Sequence, residues 1–417
     1  MRVVLAPNAL KGSCSAAAAA DAMAEGVLSV DPGIDIVKAP VADGGDGLLA
    51  VAAEVIGAEL RRCQVTGPDF DPLQAVMGWE PRTRCAVVEM ALASGLALLD
   101  GRALNPEATT TVGTGELLRA ALDLGAERII IGIGGSATND GGIGMASALG
   151  WRFLDEDGAS VPPTGGGLSR IQRVDGTGVD RRLSGVRIDV ICDVDNPLTG
   201  PNGAARVFAP QKGASDAQVQ RLDRGLQHLA DVVARELVPG CSGLPHAQPE
   251  LSALPGAGAA GGLGFGLVAF CGARLRPGAD VVLDMVDFDG LLEEADLVLT
   301  SEGRIDSQTA AGKAPAAVAA RAHRIGLPCI AIAGGLGEGY RVLHEIGVEA
   351  AFSLCPGPIG LEEAQAQART LLSACTEQVI RLFLAGHRAG RSGRSVQTPK
   401  PPASGAGPHS SAGIRSR

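Results

Sequence analysis

The sequence predicts an α/β protein built on mainly parallel sheet, and three observations carry that prediction. Short apolar runs alternate with Gly-rich loops and stretches of helix formers along most of the chain. The chain is 46% hydrophobic but only 3% aromatic, so its core must be packed from Ala, Val, Leu and Ile. Its 59 Gly residues mark the tight turns that such an alternation needs. A length of 417 residues exceeds one ordinary core and implies more than one domain.

Residues 3–6 form an apolar run closed by Pro7-Asn8, and helix formers follow at 15–30 (SAAAAADAMAEGVLSV). Residues 34–41 lead through DGGDG into a helical stretch at 48–56, and residues 128–133 lead through GGSATNDGG into 143–149. Near the end, 297–300 runs into SEGRIDSQTAAGK with a helix from about Pro315, and 328–333 runs into GGLGEG. In a parallel sheet such loops gather at the C-terminal ends of the strands, where open α/β sheets bind ligands. From about Arg61 to Asp284 the texture changes to long Gly-Pro loops, with a VTGPDFDP turn and an apolar run at 86–90. An inserted domain is therefore expected over 61–284, leaving a discontinuous one at 1–60 and 285–386. From residue 389 Gly, Ser and Pro dominate without an acidic or apolar cluster, which predicts a disordered tail over 389–417.

A net charge of −10 opposes general attraction to nucleic-acid phosphates or anionic lipid, so neither is expected as a partner. No charged n-region precedes an apolar signal core and no long uncharged apolar run appears, so a cytoplasmic protein is expected. The nine Cys are odd in number and scattered without C-x-x-C spacing, which supports neither a disulfide framework nor a structural zinc site. Nothing in the composition fixes oligomeric state, and a homodimer stays open.

Lysine is scarce. Before the tail it occurs only at Lys11, Lys38, Lys212 and Lys313, and three of these sit beside Gly, in PNALKGS, PQKGA and AGKAP. Ammonium groups next to bare backbone amides suit phosphates. VADGGDG offers Asp43 and Asp46 around two glycines, and in ICDVDNPLTG Asp193 and Asp195 alternate at the end of an apolar run. Period-2 geometry would point that pair to one face of a strand tip, where two like charges call for a cation or solvent. RIIIGIGGSATNDGGIG brings Ser136, Asn139 and Asp140 after a Gly-rich turn. It also contains Gly132-x-Gly134-x-x-Ala137 with Asp155 about 20 residues on, a weak dinucleotide fingerprint that keeps an NAD-linked hydroxyacid dehydrogenase as the alternative. A second glycine match, at Gly256, Gly258 and Gly261, follows Leu-Pro rather than a strand. SEGRIDSQTAAGK is the densest cluster, with Glu302, Arg304, Asp306, Ser307 and Lys313; Arg304 could clamp a carboxylate, or the group could be an internal ion-pair knot. The six His are scattered and receive no role.

Taken together, APNALKGS, VADGGDG, EMALASGLAL, TTTVGTGEL, IGIGGSATNDGG, CDVDNPLTGPNGAARVFAPQKGA, LPGAGAAGGLGFG and SEGRIDSQTAAGKAP closely resemble the bacterial glycerate kinase family of the glycerate 2-kinase type, over about Arg2 to Phe383. Departures are small: Asp46 stands where many relatives have Glu, Ser301 where many have Gly, and Asn8-Ala9-Leu10 where many have Asp-Ser-Phe. The resemblance implies a flavodoxin-like, Rossmann-like parallel-sheet domain from both chain ends, an inserted restriction-enzyme-like α/β domain, and an active site in their cleft. It also implies ATP, Mg²⁺ and D-glycerate, with 2-phosphoglycerate favoured as product and 3-phosphoglycerate kept as the alternative.

Phosphoryl transfer to an alcohol needs a neutralised triphosphate, a metal and a carboxylate near the attacking hydroxyl. Lys11 and Lys212 are the candidates for phosphates, and Asp193 and Asp195 for Mg²⁺. Ser136, Asn139, Asp140, Asp306 and Lys313 are candidates for nucleotide or substrate, and Arg304 for the glycerate carboxylate. Asp43 and Asp195 compete for the base.

Overall fold

The computed structural model describes residues 1–10, 12–42, 47–236, 250–310 and 312–391. Its strands in chain order are β1 (Arg2–Pro7), β2 (Asp35–Lys38), β3 (Glu59–Thr66), β4 (Pro72–Glu80), β5 (Cys85–Glu89), β6 (Arg128–Gly132) and β7 (Arg152–Leu154). They continue with β8 (Arg173–Asp175), β9 (Arg187–Ile191), β10 (Arg274–Arg276), β11 (Leu297–Ile305), β12 (Cys329–Leu336) and β13 (Val348–Ser353). The protein is α/β with two main sheets, as the alternation of runs and loops required.

The first sheet has the order β13-β12-β11-β1-β2 and is parallel throughout, so it is assembled from both ends of the chain. β1 lies inside it and is apolar along its length because helices cover both faces. Val3 and Leu5 pack with the helices Ala16–Val30 and Ala368–Arg391, whereas Val4 and Ala6 pack toward the helix Ala314–Arg324. This alternation follows from the two-residue period of a strand. Ser15 caps the helix Ala16–Val30, its Oγ accepting from the Ala18 amide at 3.2 Å. Gly26 lets that helix cross the last one closely, because a Cβ there would lie 2.3 Å from the Ser373 carbonyl oxygen.

The second sheet has the order β10-β9-β6-β5-β4-β3. β10, β9, β6 and β5 are parallel, and β5, β4 and β3 form antiparallel pairs. The VTGPDFDP turn makes the β3–β4 hairpin, closed by the Gly67 amide on the Asp71 carbonyl at 2.7 Å. Ile129 and Ile131 face the larger core, and Ile130 faces the opposite side with Leu48, Leu49, Val281 and Val282. The helices Leu48–Val55 and Gly278–Met285 thus cover one face of this sheet. The first of them lies before residue 60 in the chain yet packs on the second sheet, because its apolar side meets Cys85 and Val87. Residues 389–391 continue the helix Ala368–Arg391, and the expected tail after them lies outside the described residues.

An ion-pair chain joins the two sheets. Asp189, fully buried on β9, meets Arg128, Arg187 and Arg276. Arg276 pairs with Asp284 at 2.8 Å, and Asp284 pairs with Arg321 of the helix Ala314–Arg324 at 2.7 Å. Arg321 also reaches Asp280 and Asp289, so a buried guanidinium is fully compensated where sheet and helix layers meet.

Candidate active site

The loop after β6 turns sharply through Gly134 and Gly135 and is pinned from outside. The Leu96 amide donates to the Gly135 carbonyl at 2.8 Å and the Ala137 amide to the Ser94 carbonyl at 2.9 Å. Asp140 holds the rest of the loop. It is fully buried and accepts from the Thr111 amide and hydroxyl at 2.8 Å each, the Gly142 amide at 3.0 Å and the Gly144 amide at 3.3 Å. The Thr111 hydroxyl itself accepts from the Met145 amide, so its hydrogen goes to Asp140. Burial pushes the Asp140 carboxyl up, against the downward pull of these donors. Asp140 therefore shapes the loop from below, and Asn139 is buried beside it with neither side-chain polar atom partnered among the described residues.

Above this loop is a cavity of about 420 Å³, at the C-terminal ends of β6 and β9. Its floor is Gly134, Gly135, Ser136 and Lys212, and its apolar wall includes Leu96, Ile191, Val194 and Phe208. Lys212 ends the short turn Pro210–Lys212 and is only 2% exposed. Its Nζ donates to Ser136 Oγ and to the Thr138 carbonyl, both at 2.6 Å, and among the described residues no carboxylate forms an ion pair with it. Burial lowers its pKa to about 7, with the Asp140 charge pulling the other way.

Asp193 lines the same cavity, and its Oδ1 accepts from the Gly278 amide at 2.9 Å, at the start of the helix Gly278–Met285. The strand expected to carry Asp193 and Asp195 on one face ends earlier, at Ile191, the Cys192 amide on the Arg276 carbonyl being the last rung of its ladder with β10. Both carboxylates lie in the loop beyond, exposed; Asp193 lines the cavity and Asp195 does not.

The first sheet supplies the other cluster. Arg304 stands within β11 rather than after it, its side chain 71% exposed and loosely paired with Asp306 at 3.4 Å. Asp306 also accepts from the Gln308 amide at 3.0 Å, an Asx turn that shapes the loop. Lys313 precedes the helix Ala314–Arg324 at its N-cap position. A groove of about 610 Å³ between the helices places Gly312 and Pro277 on one wall system, and Pro277 adjoins the Gly278 amide held by Asp193. Lys11 and Asp43 lie outside the described residues.

The sequence reading missed the third wall. Ala259 and Ala260 line the cavity, and Ala260, Gly261 and Gly262 take left-handed dihedrals, with φ of 54°, 68° and 88°. At Gly261 a Cβ would stand 2.0 Å from the Thr138 carbonyl oxygen, so this turn fits only by pressing backbone on backbone. The glycine density of LPGAGAAGGLGFG was the available signal, visible as a failed dinucleotide match. Asp155, needed by the dehydrogenase alternative, instead ties its own turn through the Ala159 and Asp157 amides and Arg170.

A buried lysine over a Gly-rich loop at parallel strand ends belongs to the small-molecule enzymes of the parallel α/β class. Residues 3–384 match the model of the glycerate kinase family, and the chain belongs to that family. It is similar to the glycerate kinase of Bacillus subtilis, 48% identical over 87% of this chain and 93% of the relative. The glycerate 2-kinase of Escherichia coli is 43% identical over 87% and 93% respectively. A crystal structure assigned as glycerate kinase 2 from Salmonella typhimurium LT2 superposes with a TM-score of 0.81 at 42% identity, covering 93% of this chain and 99% of that one. The chain is thus a kinase, and among the described residues no helix is long and apolar enough to cross a membrane.

Proposed function

We propose that this protein transfers a phosphoryl group from ATP to D-glycerate, giving 2-phosphoglycerate, with Mg²⁺ bound, in the cytosol. The observation that carries the reading is Lys212, a buried ammonium with no carboxylate partner among the described residues, set on the floor of a cavity whose rim carries Asp193. Phosphoryl transfer asks for that polarity: cationic donors at one end for the charge on phosphate oxygens, and carboxylate oxygen at the other. Lys212 neutralises oxyanion charge, and the Gly134-Gly135 turn lets a ligand approach the backbone.

Asp193 and Asp195 would hold Mg²⁺. Both are exposed oxygen donors, and Mg²⁺ commonly takes only one or two carboxylates, keeping water and phosphate in its other positions. That limited demand fits a loop in which the described residues show no cluster of three metal-ligating side chains. The ion would screen the phosphates and fix their orientation. Arg304 has a guanidinium fork little used by the protein, which suits it to the acceptor's carboxylate. Asp195 or Asp43 receives the hydroxyl proton.

Incubation with ATP, MgCl₂ and D-glycerate, followed by NMR assignment of the phosphorylated carbon, tests the reading. Phosphorus coupled to the C2 proton is the expected result. Coupling to C3 would overturn the regiochemistry, and ADP release independent of glycerate would overturn the acceptor.

A further inference from the structure

We infer that Arg321, on the helix Ala314–Arg324 beside the first sheet, is a positioning residue for Asp193 at the end of the second sheet, acting through the helix Gly278–Met285. That a metal ion feels this link rests on the reading of Asp193 as a Mg²⁺ donor; the link itself does not.

The helix Gly278–Met285 is shared by both layers. Ala279 and Leu283 pack with Val4, Ala314 and Val318 in the core of the first sheet, while Val281 and Val282 pack with Leu48, Ile130 and Ile191 against the second. The two sets stand on opposite sides of the helix, as its 3.6-residue period requires. Apolar burial is non-directional, and the directional bonds to this helix come from two guanidinium groups. Arg321 is buried, and its Nη2 donates to Asp284 Oδ1 at 2.7 Å, to the Asp280 carbonyl at 3.0 Å and to Asp280 Oδ1 at 3.2 Å. The other oxygen of Asp284 accepts from Arg276 at 2.8 Å. One carboxylate thus holds a guanidinium from each layer, Arg321 from the first and Arg276 of β10 from the second.

The segment so held fixes Asp193 at two points. The Arg276 carbonyl accepts from the Cys192 amide at 3.0 Å, and the Gly278 amide donates to Asp193 Oδ1 at 2.9 Å. A continuous series of bonds therefore runs from Arg321 to Asp284 and Asp280, along the helix to Gly278, and from that amide to the Asp193 carboxylate. Without Arg321, the carboxylates of Asp280, Asp284 and Asp289 lose the cation they share and repel one another, and the start of the helix loses its setting. A carboxylate held at the wrong angle binds a cation less well; groups that orient metal-binding side chains are commonly worth roughly 10–100-fold in affinity.

Two measurements on the full chain test this. Mn²⁺ titration in the presence of ADP, followed by electron paramagnetic resonance, reads the affinity. Amide exchange at Gly278 and Cys192 relative to the amides of β6, followed by NMR, reads the geometry. Arg321→Met should weaken Mn²⁺ binding roughly tenfold and speed the relative exchange of both amides. Asp284→Asn cuts the same bridge from the helix side and should move both readings in the same direction, so the outcome is decided even where Arg321→Met does not fold. Leu372→Ala, in the core on the other face of the first sheet, lowers stability away from the helix Gly278–Met285 and should leave both readings as in the parent. With Asp193→Asn weakening Mn²⁺, parent-like affinity in Arg321→Met and Asp284→Asn, or an equal loss in Leu372→Ala, overturns the positioning role. If Asp193→Asn binds Mn²⁺ as tightly as the parent, the metal reading fails instead and exchange decides the link: faster exchange of both amides in Arg321→Met upholds it, and unchanged exchange overturns it.

Discussion

The loops at the ends of the two sheets carry similar residue types and treat them in opposite ways. On the second sheet, Lys212, Ser136 and Asp140 are buried and fixed by short hydrogen bonds, the carboxylate of Asp140 by four donors. On the first sheet, Arg304 is exposed, Asp306 spends itself on an Asx turn, and Lys313 only precedes a helix. One half is organised before a ligand arrives; in the other, Arg304 keeps its charge in water although Glu302 beside it on β11 is buried. Preorganised donors in a dry site act strongly on developing charge, while solvated groups serve better for capture. A kinase needs both.

The sharpest way to break that contrast is at Lys212. Lys212→Met should lower kcat roughly 10³-fold, the scale for losing a preorganised donor to transition-state charge. The same variant should melt no lower than the parent at pH 6.5, because it removes a buried cation that forms no ion pair among the described residues. The parent also carries a pH signature. Lys212 titrates near 7 in the fold and near 10.5 when unfolded, so between those values the unfolded chain binds more protons and stability rises with pH. The rise from this group should be about 1.4 kcal/mol per pH unit over pH 7–9, absent from Lys212→Met in matched melts. A variant with normal turnover would reverse the comparison.

Next in size is the carboxylate rim. Asp195→Asn should cost roughly 10² in kcat with little change in melting temperature, since the side chain is exposed. Asp193→Ala should combine lost turnover with about 1 kcal/mol of lost stability, because it also removes the acceptor for the Gly278 amide. Normal kcat in Asp195→Asn would move the base assignment to Asp43.

Arg304→Met sharpens the other side. If Arg304 captures the acceptor, KM for glycerate should rise roughly tenfold or more while kcat and melting temperature change far less. Steady-state kinetics with glycerate and glycerol on both proteins decides it: equal turnover of glycerol by the parent removes the reason for a carboxylate clamp. The smallest effect is expected from deleting everything after Arg391. That segment is rich in Gly, Ser and Pro, so melting temperature and kcat should stay within error of the full chain.

Much of this architecture could be read before any coordinates. Apolar runs such as those at β1 and β6 require helices on both faces, and Gly-rich loops after them place chemistry at strand ends. The antiparallel β3–β4–β5 part was less legible, since VTGPDFDP marks a turn without saying which strands it pairs. Among candidate groups, Ser136, Asp193 and Lys212 were found from loop chemistry and do line one cavity. Ala260 was missed, because one alanine among glycines carries no signal of its dihedral angle.

The sequence by itself determined the alternation of strand and helix, the positions of the chemical loops and the family, since each follows from local pattern or from motifs read in order. Tertiary structure alone decided which charges are buried. Lys212 and Lys313 look alike in sequence, each flanked by glycine, yet one is sealed beneath the Gly134 turn and the other stands at a helix start near solvent. Burial depends on segments 76 residues apart meeting in space, as Ser136 and Lys212 do. Desolvation, which moves Lys212 toward neutrality, exists only once they have met.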